Sequence, residues 1–510
     1  MNILLINANR FKQPWPVIPF GLVCVASALE RAGHAVRVLD LCFAKNCERS
    51  IRNALREFRP GLIGASIRNI DNSAGYRTQF LLEHTRVEVF EPLKRLYDGP
   101  IVIGGPAVGI NAPEILAYLD VPYAIRGDGE HAMLQFAATL EAGLPFDEVG
   151  GLVQRRNGVL LVDNPPTPVP DLNEFPTPNP GRYLDLAPYR QFNSPLQIQT
   201  KRGCALNCSY CVYNKIEGVR YRLRDPERVA DDLARLSRET GLRNVEFTDS
   251  TFNAPLSHAK AVLRAIVARG LRLELRTMGL HPKYVDEELV GLMKEAGFTE
   301  VDLGAESACD ATLEGLGKNY TAREVVRAGA LLRARKIPVT WYLLLGGPNE
   351  TAETLRETFD TVNRAADPWD LINIGVGLRV YNGAPVADEL RRRHPACTAD
   401  NFLTPVHYEP TALSLDEVKR LVKTEALRRP NYFMYDEDED MPAFAVRCGM
   451  TLLRILKIRH PFFRLYILMR KTQAWLGIAR LKQMAYASRR KPTAQGERLP
   501  AAMDAWDLLK

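Results

Sequence analysis

The sequence predicts an α/β protein made of two successive strand–helix units, a doubly wound parallel sheet and a partial (β/α)6 barrel, followed by a helical C-terminal region. Three observations predict it. Short apolar runs bounded by turn residues recur through residues 1–145 and again through 196–400. Helical periodicity fills the gaps between them. A proline-rich stretch separates the two blocks. The length of 510 residues suits about three units, and 46% hydrophobic with 25% charged residues is the balance of a globular chain, not of a disordered or fibrous one.

In residues 1–145 the strand signals are Ile3–Ile6, Ala35–Leu39, Leu62–Ser66, Ile101–Ile103 and Ala124–Ile125, and Phe20–Ala32 reads as a helix that Gly33 stops. Ligands of such sheets bind beyond the carboxyl ends of the strands. The turns there hold Asn7, Ser66, Arg68, Asn69, Asp71, Gly104, Gly105, Gly127, Gly129 and Glu130. No G-x-G-x-x-G follows the first strand, which disfavours an ordinary dinucleotide site. Residues 146–195 read as a connector, and seven prolines between Asn164 and Pro180 make a stiff extended segment. In residues 196–400 the expected strands are Leu196–Thr200, Asn244–Thr248, Arg272–Thr277, Glu300–Gly304, Val339–Leu345 and Ile372–Val380, alternating with helices such as Pro226–Thr240, Asp286–Ala296 and Arg323–Arg335. Six units are too few for a closed eight-fold barrel, and the active groups of a barrel lie at the carboxyl ends of its strands. Residues 401–510 read as mostly helical, with an acidic run from Asp436 to Asp440 before a basic tail.

Met1–Asn7 reads as a first buried strand, not a signal peptide, and no run of about 18 uncharged apolar residues exists, so a cytoplasmic chain without a transmembrane helix is expected. The net charge of +7 is uneven: Ala443–Lys510 carries 14 Lys/Arg against 3 Asp/Glu, a surplus of +11 that leaves residues 1–442 at −4. The tail admits two readings. Its basic residues, interleaved with Phe462, Phe463 and Trp475, suit peripheral contact with an anionic bilayer. They equally suit a helical cap over the barrel mouth with solvated charges, which is the favoured reading. No nucleic-acid motif accompanies the charge, so no nucleic-acid partner is expected.

Nine cysteines, six of them scattered, give an odd total and no disulfide framework. The other three form C-x3-C-x2-C at Cys204, Cys208 and Cys211, directly after a predicted strand. Three thiolates on a short loop can hold three irons of a [4Fe–4S] cluster, leaving the fourth iron open to a substrate atom. Structural zinc is the main rival. It normally recruits a fourth Cys or His at recognisable spacing, and none follows nearby; Cys309 is available but its neighbours do not resemble a zinc knuckle. Buried structural cysteines explain isolated positions better than three at this spacing.

With Tyr210 before the third cysteine, C-x3-C-x-aromatic-C at the first strand of a partial barrel resembles the radical SAM superfamily. The resemblance implies S-adenosylmethionine chelated by the open iron, electrons from an external flavodoxin- or ferredoxin-type donor, and Tyr210 near the adenine. It also implies a binding role for Asp249 at the second strand end, Glu306 and Ser307 at the fourth, Gly346 in the Leu344–Thr351 turn and Arg379 on the last strand. The first unit resembles the Rossmann-like cobalamin-binding domain fused to many such enzymes, on Pro16–Gly21, Gly33-His34-x-Val36-x-Val38-x-Asp40, Ile63–Asp71, Gly104-Gly105-Pro106 and Gly127-x-Gly129-Glu130. That resemblance makes Asn7, Pro16, Ser66, Arg68, Asn69, Asp71, Gly104, Gly105, Gly127, Gly129 and Glu130 the cobalamin-binding candidates. The D-x-H-x-x-G motif that supplies a lower histidine ligand to cobalt is missing, and Arg68 or Asn69 could face that side. The fixed charge of Arg68 there would disfavour a sixth bond. The resemblance spans residues 1 to about 400 and implies a cobalamin-dependent radical enzyme, foremost a methyltransferase acting on a small molecule. Aminocarboxypropyl transfer to a heteroatom such as arsenic, ring closure or rearrangement, and a non-catalytic cobalamin or redox sensor stay open.

Overall fold

A computed structural model describes residues 1–13, 15–393, 400–434 and 461–475. Cys397, Cys448, the acidic run and most of the basic tail lie outside the described residues. Among the described residues no helix is long and apolar enough to cross a membrane.

The first sheet runs in the order β2-β1-β3-β4-β5-β6-β7. Strands β1 (Asn2–Asn7), β2 (Ala35–Asp40), β3 (Leu62–Ser66), β4 (Ile101–Gly104) and β5 (Tyr123–Ile125) are parallel. Helices cover both faces, so β1 is apolar at successive positions: Ile3 and Leu5 enter one core, Leu4 and Ile6 the other. The connector holds two strands ahead of its proline-rich stretch. Its first part folds into an antiparallel hairpin, β6 (Leu152–Arg156) and β7 (Val159–Asp163), on the sheet edge. The cause is Asn157-Gly158, whose φ values of 51° and 82° make the two-residue turn that hairpins favour.

The barrel strands are β8 (Leu196–Ile198), β11 (Asn244–Phe247), β12 (Glu274–Thr277), β13 (Val301–Glu306), β14 (Val339–Leu345) and β15 (Leu371–Val376). Between β8 and β11 lies a small hairpin, β9 (Lys201–Arg202) and β10 (Arg222–Leu223). After β15 comes a second, β16 (Leu378–Arg379) and β17 (His407–Tyr408). The six expected strands gain a seventh, β18 (Tyr432–Met434), which pairs parallel to β15 from the region expected to be helical. Three residues are too few to show strand periodicity in a sequence. The helix Phe463–Trp475 does not cap the barrel mouth. The Tyr466 hydroxyl donates to the Tyr432 carbonyl at 3.3 Å, Arg470 to the Ala426 carbonyl at 3.3 Å, and Lys471 lies 3.7 Å from the Trp369 ring centroid. Those groups stand at the amino ends of β15 and β18, opposite the mouth.

Polar locks hold the two units together. Arg202 grips Glu130 through two hydrogen bonds of 3.0 and 2.6 Å, and Asp128 pairs with both Arg202 and Arg222. Arg379 donates to Asp71 at 2.8 Å from the far side of the barrel. Gly75 lies so close to β15 that a Cβ there would sit 1.9 Å from the Val376 carbonyl oxygen, so no larger residue fits. The carboxyl ends of both sheets therefore face one shared cleft.

Candidate active site

The cysteine loop is clamped on several sides. The Cys204 amide donates to the Gly218 carbonyl at 2.9 Å, the Ser209 amide to the Leu316 carbonyl at 2.9 Å, and the Ser209 carbonyl accepts from Val386 at 2.9 Å. Gly203 has φ +94°, and a Cβ there would meet the Arg220 carbonyl oxygen at 2.1 Å. Cys204 is buried, Cys208 and Cys211 half-buried, and none is in a disulfide. Burial pushes the Cys204 thiol up, and that of Cys211 up to about 11. Coordination to a metal would deprotonate them outright. Among the described residues no three His, Cys, Asp or Glu side chains converge tightly enough to hold one ion. Each of the three thiolates can bind a different iron of a cluster.

Beside the loop, Tyr210 donates to Glu306 at 2.9 Å, and Lys318 donates to both, at 3.0 and 3.3 Å. Glu306 sits at a bulge of β13 with φ +56°, a conformation that aims its carboxylate off the strand. Burial opposes the charge of Lys318, but Glu306 and Tyr210 outweigh it and hold the amine well above the ordinary lysine range. Lys318 was not legible in the sequence. It is placed by the Gly317 turn, which packs against the Asn207–Ser209 backbone.

Three expected positions do something else. Asp249 does not face the cleft: it is wholly buried, accepts from Thr200 N and Oγ1 at 2.7 and 2.6 Å, and pairs with Lys201 at 3.1 Å. It fixes the strand end that leads into the cysteine loop. Ser307 turns away to Thr358 Oγ1 at 2.8 Å. Arg379 spends its donors on Asp71 and on the carbonyls of Phe402 and Leu403, so both Arg379 and Asp71 are interdomain ties. Gly346, with φ +91°, packs near Gly377 at the end of β14.

The cleft encloses about 1630 Å³ including its open mouth. Asn7, Ser66, Arg68, Gly104, Gly105, Gly127, Gly129 and Glu130 line it from the first unit, Gln197, Arg202, Thr248 and Met278 from the barrel. Its floor descends into the sheet between Leu5, Gly64, Val102 and Met133. A Cβ on Gly64 would come within 2.7 Å of Leu5 Cδ2, so the glycine keeps the slot open without a shift of that side chain. An apolar slot under a polar, glycine-rich rim fits a large cofactor with a flat heterocyclic tail, as cobalamin has. Pro16 is outside the lining; its carbonyl accepts from Ser194 at 2.6 Å. The carboxylate of Glu130 is taken up by Arg202. Asn69 faces a neighbouring cavity with Arg10, His84 and Glu88, whereas Arg68 borders both and has no hydrogen bond or ion pair among the described residues. Glu217, also unanticipated, lines the cleft, accepts from Gln199 at 3.1 Å and from Gly203 N at 3.2 Å, and burial pushes its carboxyl up to about 7.

Comparison with known proteins agrees with this geometry. Residues 198–362 match the Radical SAM superfamily and residues 9–137 the B12 binding domain. The tryptophan 2-C-methyltransferase of Streptomyces laurentii is 27% identical over 443 residues, 75% of this chain and 73% of that protein. The anaerobic magnesium-protoporphyrin IX monomethyl ester cyclase of Rubrivivax gelatinosus is 25% identical over 496 residues, 89% and 82% of the two chains. The structure of the radical S-adenosylmethionine methyltransferase TsrM from Kitasatospora setae, with cobalamin and a [4Fe–4S] cluster bound, superposes with a TM-score of 0.80 at 24% identity, over 95% of this chain and 99% of that one, and shows the same fold. A B12-binding unit and a radical SAM unit, in that order and sharing one cleft, place this chain among the cobalamin-binding radical SAM enzymes, with a [4Fe–4S] cluster, S-adenosylmethionine and cobalamin as its cofactors.

Proposed function

We propose that this enzyme transfers a methyl group to an unactivated atom of a small molecule. One observation carries the reading: a single continuous cleft joins the hairpin that carries the cysteine loop to the carboxyl edge of the first sheet. The three cofactors supply a transferable methyl group and reductive cleavage of S-adenosylmethionine. Cys204, Cys208 and Cys211 hold the cluster. Tyr210, Glu306 and Lys318 form the polar wall beside it and hold S-adenosylmethionine. The turns at Gly104-Gly105 and Gly127–Gly129 and the slot at Gly64 seat cobalamin. Arg68, which borders the cleft, would help hold cobalamin, and its fixed charge would not ligate cobalt. Glu217 can take or give a proton near neutral pH. Electrons come from an external donor of the flavodoxin or ferredoxin type.

The similarity to a tryptophan C-methyltransferase supports methyl transfer. The similarity to a cyclase over 89% of the chain keeps ring closure as a second reading. The deciding experiment is mass spectrometry of the products of anaerobically reconstituted enzyme given cobalamin, reductant and candidate substrates. Methyl transfer predicts S-adenosylhomocysteine together with 5′-deoxyadenosine. Deoxyadenosine without S-adenosylhomocysteine selects ring closure, and 5′-methylthioadenosine selects aminocarboxypropyl transfer. Arg68→Ala should change the visible spectrum of bound cobalamin; an unaltered spectrum removes Arg68 from the cobalamin site.

A further inference from the structure

A cluster held by thiolates becomes more negative when it takes up an electron, so a fixed cation beside it favours the reduced form. Lys318 is placed to be that cation. A Cβ on Gly317, the residue before it, would sit 3.6 Å from Cys208 Cα and 3.1 Å from the Ser209 amide nitrogen. That glycine has φ +66°, a conformation that suits glycine, and the Ser209 amide donates to the Leu316 carbonyl at 2.9 Å. The turn that carries Lys318 and the loop that carries the cysteines are therefore fixed against each other.

The side chain of Lys318 is only 7% exposed. Its ammonium stands 5.0 Å from the Tyr210 ring centroid and 5.9 Å from that of Tyr320. Ring faces stabilise a cation, and a charge walled off from water is little screened. Burial opposes the charge, but Glu306, Tyr210, Tyr320 and Cys208 together outweigh it, so the amine stays protonated.

Glu306 is its counter-charge, at 3.3 Å, and the two signs compete at the thiols. Burial raises the Cys211 thiol, while the Tyr213 amide and Lys318 pull it down, and there the ammonium weighs more than its partner carboxylate. The ion pair thus turns its positive end to the loop. Glu217 acts in the opposite sense on Cys204, from the cleft, but its own carboxyl is pushed up to about 7 and is only partly ionised near neutral pH.

We propose that the Lys318 ammonium raises the reduction potential of the cluster. The step it eases is transfer of one electron from the external donor to the oxidised cluster, in which Lys318 keeps its proton and forms no bond. The proposal rests on the cluster assignment and not on which group the enzyme transfers.

The test uses full-length enzyme reconstituted with its cluster, near neutral pH and without S-adenosylmethionine. The potential is read by redox titration followed by electron paramagnetic resonance of the reduced cluster. Lys318→Met keeps the length of the side chain and removes its charge. It should shift the reduction equilibrium at least about tenfold toward the oxidised form, a fall of about 59 mV for one electron. Lys318→Arg, which keeps the charge, should stay within about threefold of the unmutated enzyme. Glu306→Gln removes the counter-charge and should move the potential the other way. A Lys318→Met equilibrium within about twofold of the unmutated enzyme overturns the proposal, as does a Lys318→Arg shift equal to that of Lys318→Met. A merely structural role moves Lys318→Met and Glu306→Gln in the same direction, and that result overturns it too. Iron content and visible spectra report which variants carry the cluster; where Lys318→Met does not, the direction of the Glu306→Gln shift decides. The cluster assignment fails separately, if the unmutated protein takes up no iron.

Discussion

The first sheet and the barrel sheet are both parallel and helix-covered, yet their strands differ in kind. In β1 the residues from Ile3 to Ile6 are all apolar and buried, because helices lie on both faces. In β13, Val301-Asp302-Leu303-Gly304-Ala305-Glu306 alternates buried and half-buried positions, because helices cover only one face and the other lines an interior. The same secondary structure serves a scaffold in one case and a wall in the other. The polar face survives where it borders space that water or a ligand can enter.

Substitutions should separate the two sheets. The largest effect is expected from Ile6→Asp, which buries an unpaired carboxylate between β1 and its helices and should cost about 5 kcal/mol, read as loss of the cooperative unfolding transition at ordinary temperature. Next comes Arg379→Ala, which strands Asp71 in the interface between the units. Chemical denaturation should show a loss of about 3 kcal/mol, and a loss under about 1 kcal/mol would mean the units do not rely on that tie.

An effect that varies with pH is expected from Asp302→Asn. The folded-state carboxyl lies at about 8, against 3.8 for the ordinary group. Between those values the folded chain holds a proton that the unfolded chain has released, so wild-type stability loses ground as pH rises through this window. The melting temperature of Asp302→Asn should therefore rise relative to wild type from about pH 4 to about pH 8, and a pH-independent difference would contradict the burial argument. The smallest stability effect is expected for Asn373→Leu, within about 1 kcal/mol of wild type, since an apolar group replaces an acceptor that has no donor.

Much of this was legible beforehand. Five strands of the first sheet and six of the barrel announce themselves as apolar runs, and the cysteine spacing announces the cluster. The Asn157-Gly158 hairpin is equally legible, as a two-residue turn between apolar runs, but residues 146–195 read as a connector and no strand is assigned there. β18 was not legible, since three residues carry no period. Asp249, Ser307 and Arg379 were placed near S-adenosylmethionine by their position at strand ends, but the end of a strand fixes only where the backbone arrives. Each of those side chains found a nearer partner inside the protein.

The sequence by itself determined the order of the units, the strands with long apolar runs and the three thiols, because these depend on residue type and on spacings of a few residues. Only the tertiary structure decided which polar groups reach the cleft. It brought Lys318 to Tyr210, Arg202 to Glu130, Trp15 to Arg276 and Asp302 to an uncovered interior. These are contacts between elements far apart in the chain, and no local pattern records them. The burial that sets the charge of Asp302 and Glu217 is likewise a property of everything packed around them, not of the residues beside them in sequence.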